Sequence, residues 1–289
     1  NKGTALRVLE SQIRLIMKNP SMKPDIIKSH EKLASKGYVV PLSTLPLEQQ
    51  KEVLDGGTYI PWQVVFNPSS LSTPCRIVYN GSARTKDGES LNEVLCKGEN
   101  KLAKLLHLLI QFRVGPHAMT SDISMAYNGL YLVPSDYKYQ KYLWQSDLND
   151  AQKAEVWVIV TIIYGIKPSG NLTMAGFMKI VHHARTLGGR IAKGAEVLAS
   201  KAYMDDLISS FRTREQLDEA AIGLEETLDL ASMKVKAITK SGEPPSEKVS
   251  SDGVTLGLVG YKWASEADTI SLDIKPITLG KARRGKAAA

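Results

Sequence analysis

Apolar positions recur at helical spacing from the start of the chain. Leu6, Leu9, Ile13 and Ile16 punctuate residues 4–19, "TALRVLESQIRLIMKN", and predict an amphipathic helix. A second helix is predicted over 20–36, after Pro20 and Pro24, and "GYVVPL" (37–42) predicts a short strand. Residues 43–57 predict a polar connection with one helical turn, closed by Gly56 and Gly57. "TYIPWQVVFNP" (58–68) and "PCRIVYN" (74–80) predict a hairpin around a Ser/Pro loop, and a basic loop follows over 82–95. The helical period returns at 101–115 and ends at Gly115. A strand running into a short helix is predicted over 117–132. Strands follow over 137–145 and 156–165, the second apolar enough to be central. Residues 168–189 predict a helix, with Pro168 near its start and Gly188–Gly189 at its end. "EVLASKAY" (196–203) and "LISSF" (207–211) predict the two arms of a hairpin. A helix over 213–232, with Thr213 and Gln216 as a capping box, precedes strands over 233–239 and 255–263. This mixed order without a repeat predicts an α+β fold.

Composition narrows the class. A chain of 289 residues holds one large domain or two to three subdomains. With 43% apolar and 23% charged residues it reads as folded, not disordered. The net charge of +7 points to an anionic partner, nucleic acid first and a membrane surface second. Cys75 and Cys96 form neither a disulfide framework nor a CxxC zinc pair, which suits a reducing, intracellular setting. The longest apolar run, "VWVIVTIIYGI" (156–166), is too short to span a bilayer. No secretory signal is visible at the N-terminus. The chain opens on Asn1 and closes on "GKARRGKAAA", so it reads as a piece of something longer.

Within "ASKAYMDDLISSF" (199–211), Asp205 and Asp206 sit side by side between apolar runs. Adjacent carboxylates repel unless a cation lies between them. Carboxylate donors suit a hard ion such as Mg²⁺ or Mn²⁺. A third carboxylate, Asp122, stands at the end of the strand-like "PHAMTSDI", 83 positions before Asp205. Three such acids could hold two metals about 3.5–4 Å apart, the arrangement that drives in-line phosphoryl displacement. Asp also favours turns for purely local reasons, so the pair by itself leaves a catalytic and a turn-forming reading open.

Taken together, the motifs resemble a reverse transcriptase. "YMDD" (203–206) matches the Tyr-x-Asp-Asp motif of that family, and "SDISMAY" (121–127) matches its partner. "CRIVYNGSARTKDGESLN" (75–92), "YGIKPSG" (164–170) and "TLGLVGYKW" (255–263) follow in the family's order, so the likeness covers residues 58 to about 270. The segment from Tyr59 to Asn92 is most similar to the BEL/Pao group of long-terminal-repeat retrotransposons. The resemblance implies fingers and palm of a right-hand polymerase, the palm an antiparallel sheet backed by helices. It implies an N-terminal helical extension over 1–57, fingers over 58–115, palm with part of the fingers over 116–265, and the start of a connection to a truncated thumb over 266–289.

Roles carry over by position. Asp122, Asp205 and Asp206, with the Ile123 carbonyl, would hold two Mg²⁺ ions, for which Mn²⁺ can substitute. Arg76 would grip the triphosphate; the alternative is a solvated strand arginine. Met125, Ala126 and Tyr127 would line the nucleotide, Tyr127 as the gate against a ribose 2′-OH or else as core packing. Gly165 would let backbone approach nucleotide and template, or else is an ordinary strand-ending glycine. Tyr203 and Met204 would pack near the primer end, and Leu256 and Gly257 would begin the primer grip. The implied partners are an RNA or DNA template with its primer, dNTPs, and the ribonuclease H and integrase of the same polyprotein, with no membrane. The implied location is a cytoplasmic retrotransposon particle, with passage into the nucleus.

The sequence departs from the family in places. Asn80 stands where this group usually has Asp, which removes an ion pair, and Tyr164 stands where retroviral enzymes have Gln. Lys234 and Lys236 are weak candidates for the family's proton-donating lysine, and solvation explains them better. His182–His183 read as a polar helix face, Trp62, Trp144, Trp157 and Trp263 as core, and the "GKARRGK" tail (280–286) as a frayed basic end or a phosphate contact. A decayed or domesticated fragment that binds nucleic acid or protein without catalysis is the alternative reading. A metal-dependent small-molecule enzyme is a third, with no other pocket motif in its favour.

Overall fold

The computed structural model describes residues 1–66, 75–84 and 88–272; the Ser/Pro loop, part of the basic loop and the basic tail lie outside the described residues. Two helices open the chain, α1 (Lys2–Lys18) and, after a 3-10 turn, α2 (Lys23–Ser35). α1 buries Leu9, Ile13 and Ile16 of the stripe that predicts it, with Ala5 beside them and Leu6 only partly buried. β1 (Val39–Pro41) follows, then α3 (Leu47–Leu54), two turns where one was expected. β2 (Trp62–Phe66) and β3 (Cys75–Tyr79) pair antiparallel, Trp62 opposite Tyr79. α4 (Leu91–Val94) is a single turn closed by a reciprocal Ser90–Glu93 capping box. α5 (Leu105–Phe112) is shorter than the 101–115 expected. The Lys101 and Leu102 amides donate to the Asn171 and Asn100 side chains instead of joining the helix.

β4 (His117–Ser124) runs into a turn where a short helix was expected, because Met125 takes a left-handed φ of 53°. β5 (Lys141–Trp144) and β6 (Glu155–Ile159) join β1 in a three-stranded sheet with β6 central, as its apolar run predicts. α6 (Ser169–Leu187) and α7 (Gly189–Lys201) come next. The first arm expected of the acidic hairpin is largely helical: residues 196–201 belong to α7, and only β7 (Ala202–Tyr203) pairs with β8 (Asp206–Phe211). Ala, Glu, Leu and Lys are strong helix formers, and Ala195 and Leu198 are fully buried in the core. α8 (Arg214–Asp229) starts on the predicted cap, the Thr213 hydroxyl accepting from the Gln216 amide at 3.3 Å. α7 and α8 meet backbone to backbone, since a Cβ on Gly194 would lie 2.0 Å from the Gly223 carbonyl carbon.

β9 (Lys234–Lys240) completes a four-stranded antiparallel sheet in the order β7-β8-β4-β9. Phe177 and Val181 of α6, Leu198 of α7 and Leu224 and Leu228 of α8 pack into one core with Met119 and Leu207 of this sheet. The single strand expected over 255–263 is a hairpin, β10 (Thr255–Leu258) and β11 (Tyr261–Ala264), continued by β12 (Thr269–Leu272). Val259 and Gly260 both take positive φ, 46° and 92°, which fits a two-residue type I′ turn.

A second core joins α1 and α2 to both smaller sheets of the N-terminal half, through Leu9, Ile26, Trp62, Tyr142 and Ile159 among others. His30 of α2 is its polar member. The ring stacks on Trp144 at 3.7 Å and 4°, and Nε2 lies 2.8 Å from the Tyr142 hydroxyl. Trp62, Trp144 and Trp263 are buried, and His182 and His183 are exposed, as the sequence suggests. Among the described residues no helix is long and apolar enough to cross a membrane.

Burial brings the His30 pKa down from 6.5 to about 3. Below 6.5 the unfolded chain binds a proton that the folded chain refuses, so stability is lost as pH falls from 6.5 towards 3. The slope approaches about 1.4 kcal/mol per pH unit. Replacing His30 by Phe is expected to remove this component from the pH dependence of urea unfolding. An unchanged slope would show that His30 titrates freely in the fold.

Candidate active site

The acids are brought together by strand register. Asp122 near the end of β4 is the direct cross-strand partner of Asp206 at the start of β8. Tyr203 pairs with Asp206, so Met204 and Asp205 form the two-residue turn between β7 and β8. The Ile123 amide donates to the Asp205 carbonyl at 2.9 Å and fastens that turn to β4. β4 is bulged between Asp122 and Ile123 where it pairs with β9, which bends the strand at the acids. Met204 takes a φ of 61° and Met125 a φ of 53°, so left-handed residues flank the acids on both turns. Strain of this kind persists only where the surrounding structure enforces it.

Crowding shows in the electrostatics. Burial, then the charges of Asp205 and Asp122, push the Asp206 pKa up to about 6. Burial also raises that of Asp122, against the ion pair that Lys236 makes with it at 3.0 Å. Lys236, read from sequence as weak, therefore stands in the site, while Lys234 is exposed. The Tyr164 hydroxyl donates to Asp205 Oδ2 at 3.0 Å, and burial together with that carboxylate raises its pKa. Asp122 is thus engaged with Lys236 and Asp205 with Tyr164. Among the described residues no three His, Cys, Asp or Glu side chains stand grouped to hold a metal. The donor set itself fits a hard divalent cation. Three carboxylates adjoin on neighbouring backbone positions, and Asp206 is held above its ordinary pKa by burial and then by the like charges of Asp205 and Asp122, which a divalent cation would offset.

Two cavities flank the acids. One, of about 310 Å³, reaches from Asp122 and Asp206 to Lys248, Leu256 and Gly257. The other, of about 810 Å³, is bordered by Arg76, Asp122, Met125, Tyr164 and Asp205. Arg76 borders both, from β3, and its charge acts on Asp122. Tyr127 is buried and packs on Tyr164, ring centroids 3.9 Å apart at 39°. The Ala126 side chain is fully buried in the core beneath the four-stranded sheet. Tyr203 packs against the core that contains Leu256 and Trp263.

Gly165 is fixed by a residue that sequence reasoning passed over. Asn92 donates to the Gly165 carbonyl at 2.9 Å and accepts from the Lys167 amide at 2.8 Å, tying "SLN" to "YGIKPSG". Only its place in the family-like run could have flagged it. Asn80, the departure from Asp, accepts from the Ser82 amide at 3.0 Å and caps the turn before that run.

An antiparallel sheet with paired acids at its turn, backed by helices and faced by a hairpin, has the α+β fold of right-hand polymerase fingers and palm. Among solved structures the chain is similar to the prototype foamy virus protease-reverse transcriptase, a selenomethionine-labelled mutant, at 15% identity and a TM-score of 0.57, over 89% of this chain and 27% of that one. The foamy viral enzyme in complex with an RNA/DNA hybrid aligns at 13% identity and a TM-score of 0.57, over 87% of this chain and 27% of that one. A form in complex with double-stranded DNA aligns at 13% identity and a TM-score of 0.56, over 84% and 34%. The chain therefore spans 27% to 34% of the length of these neighbours, and at such identity the likeness is one of fold. No family model and no curated protein matches the chain.

Gly165 takes a φ of 92°, and a Cβ there would lie 2.3 Å from the Tyr79 carbonyl oxygen. Gly165→Ala is expected to destabilise the protein by about 2–3 kcal/mol in urea unfolding. A change within about 0.5 kcal/mol would mean that the turn is not held against β3.

Proposed function

We propose that the chain is the fingers and palm of an RNA-directed DNA polymerase, a BEL/Pao-like reverse transcriptase from a retrotransposon polyprotein. The observation that carries this reading is the register of Asp122 against Asp206, with Asp205 on the adjoining turn, beside a cavity that also has Arg76 on its wall. Asp122, Asp205, Asp206 and the Ile123 carbonyl would hold two Mg²⁺ ions, or Mn²⁺ in their place. When bound, these supply activation of the primer 3′-OH and neutralisation of the leaving pyrophosphate.

The chain's own residues do the positioning. Arg76 presents a planar guanidinium that pairs with phosphate oxygens in a fixed fork. Tyr127, buried and backed by Tyr164, would be the gate against a ribose 2′-OH. Met125, on the wall of the larger cavity, and the backbone of Ala126 would line the incoming nucleotide. Gly165 admits a close backbone approach that a side chain would block. Lys236 holds the Asp122 carboxylate oriented and carries the ammonium nearest the acids, from which a proton can pass to the departing pyrophosphate. Tyr203 and Met204 would lie at the primer end, and Leu256 and Gly257, which border the smaller cavity, would begin the primer grip.

The partners proposed are an RNA or DNA template with primer, dNTPs, and the ribonuclease H and integrase of the same polyprotein, in a cytoplasmic particle. The net charge of +7 and the nucleic-acid complexes of the foamy viral neighbours support the nucleic-acid part.

Incorporation of labelled dTTP on a poly(rA)–oligo(dT) duplex with Mg²⁺ tests the reading, in this chain and in a version extended beyond Ala289. Asp205→Asn is expected to lower synthesis by about a thousandfold or more while duplex binding changes less than about twofold. Synthesis that survives in Asp205→Asn would remove that acid from the metal site, and duplex binding without synthesis in either length would favour the non-catalytic alternative.

A further inference from the structure

α2 is more than a buttress for the hairpin. It borders the larger cavity through Ser29, Lys32 and Leu33, on a wall shared with Arg76 and facing Asp205 and Lys236. Two contacts fix it there. The Ser29 hydroxyl donates to the carbonyl of Cys75, the residue before Arg76, at 3.3 Å. Lys36, just past the helix end, donates from Nζ to Met125 Sδ at 3.5 Å, three residues beyond Asp122. Seven residues of helix rise about 10 Å. Lys32 therefore sits midway along a segment pinned at one end to the arginine strand and at the other to the turn after the first acid. Lys28, Lys32 and Lys36 follow one another at four-residue intervals on one stripe, and of the three only Lys32 borders the cavity. Lys32 is exposed, and no carboxylate pairs with it among the described residues.

A cavity of about 810 Å³ has room for a nucleoside triphosphate. Such a ligand would bring its α-phosphorus to the acids and extend its outer phosphates away from them. We infer that Lys32 is a polyphosphate contact, taking the β- and γ-phosphates of the incoming nucleoside triphosphate together with Arg76. This rests on the polymerase reading above. It makes the N-terminal helical segment a wall of the substrate site. An ammonium on a flexible stem suits this place, since it follows the phosphates as they leave as pyrophosphate, and a charge-assisted bond to phosphate is about twice as strong as a neutral one.

The test compares Lys32→Gln with Lys28→Gln, which loses the same charge from the same helix one turn away from the cavity. Both side chains are exposed, and thermal melts check that both variants fold. Calorimetry measures binding of dTTP and of inorganic tripolyphosphate in the presence of Mg²⁺. Fluorescence anisotropy measures binding of a labelled poly(rA)–oligo(dT) duplex. Lys32→Gln is expected to weaken both polyphosphate ligands about five- to tenfold and to leave duplex binding within about twofold, with Lys28→Gln unchanged throughout. Unchanged dTTP binding in Lys32→Gln would overturn the inference and leave the polymerase reading standing. So would weakening confined to the duplex, which would move Lys32 to a template backbone contact, or an equal loss in both variants. A wild-type chain that binds neither dTTP nor duplex would remove the polymerase reading and this inference with it.

Discussion

Everything in the site depends on one pairing, Asp122 opposite Asp206 across β4 and β8. Register in a sheet is discrete, and a slip of one residue would turn the whole strand over. Buried Met119 and Leu207 fix the register from the core side, so the acids cannot drift apart without unpacking the sheet. The fold thus forces like charges together where burial makes repulsion costly. Asp206 registers that cost as a raised pKa, with burial the largest cause and its two acidic neighbours next.

The surroundings hold this arrangement in place. Lys236 and Tyr164 each engage one carboxylate, which spares the site a fully unpaired set of charges. Asn92 fastens the Gly165 turn to the segment after the hairpin, and the Met125–Lys36 contact ties the turn after Asp122 to α2. Beneath, the glycine contact between α7 and α8 lets two helices lie close under the sheet. α2, strand β3 and the four-stranded sheet therefore border one cavity, and the acids lie on its wall.

Much of this was legible in the sequence, for physical reasons. α1, α8 and β4 follow from clear periodicity and, for α8, a side-chain cap. The acid pair was legible as a turn because few other arrangements place two aspartates between apolar runs. The arm before it is ambiguous in sequence, since "EVLASK" is short and apolar enough to suit either a strand or a helix, and packing of Ala195 and Leu198 decides for helix. The 255–263 segment hid a hairpin because Val259 is a poor residue for a left-handed turn, and only Gly260 hinted at one. Lys236, Asn92 and Lys32 were weak or silent because their meaning lies in contacts across many residues of chain, which no local pattern encodes.

The fold holds these acids against their own repulsion, and we propose that a divalent cation relieves it. The most direct measurement is the unfolding free energy of wild type and Asp206→Asn at about pH 8, with and without Mg²⁺. Because the folded pKa of Asp206 is raised from 3.8 to about 6, its charge opposes folding at high pH, and stability is regained as pH falls through that window. Without divalent cations, Asp206→Asn should be more stable than wild type by about 2–3 kcal/mol. Millimolar Mg²⁺ should then stabilise wild type and not the variant, closing the gap. An Asp206→Asn protein that is less stable than wild type without metal, or a Mg²⁺ response equal in both, would contradict the account.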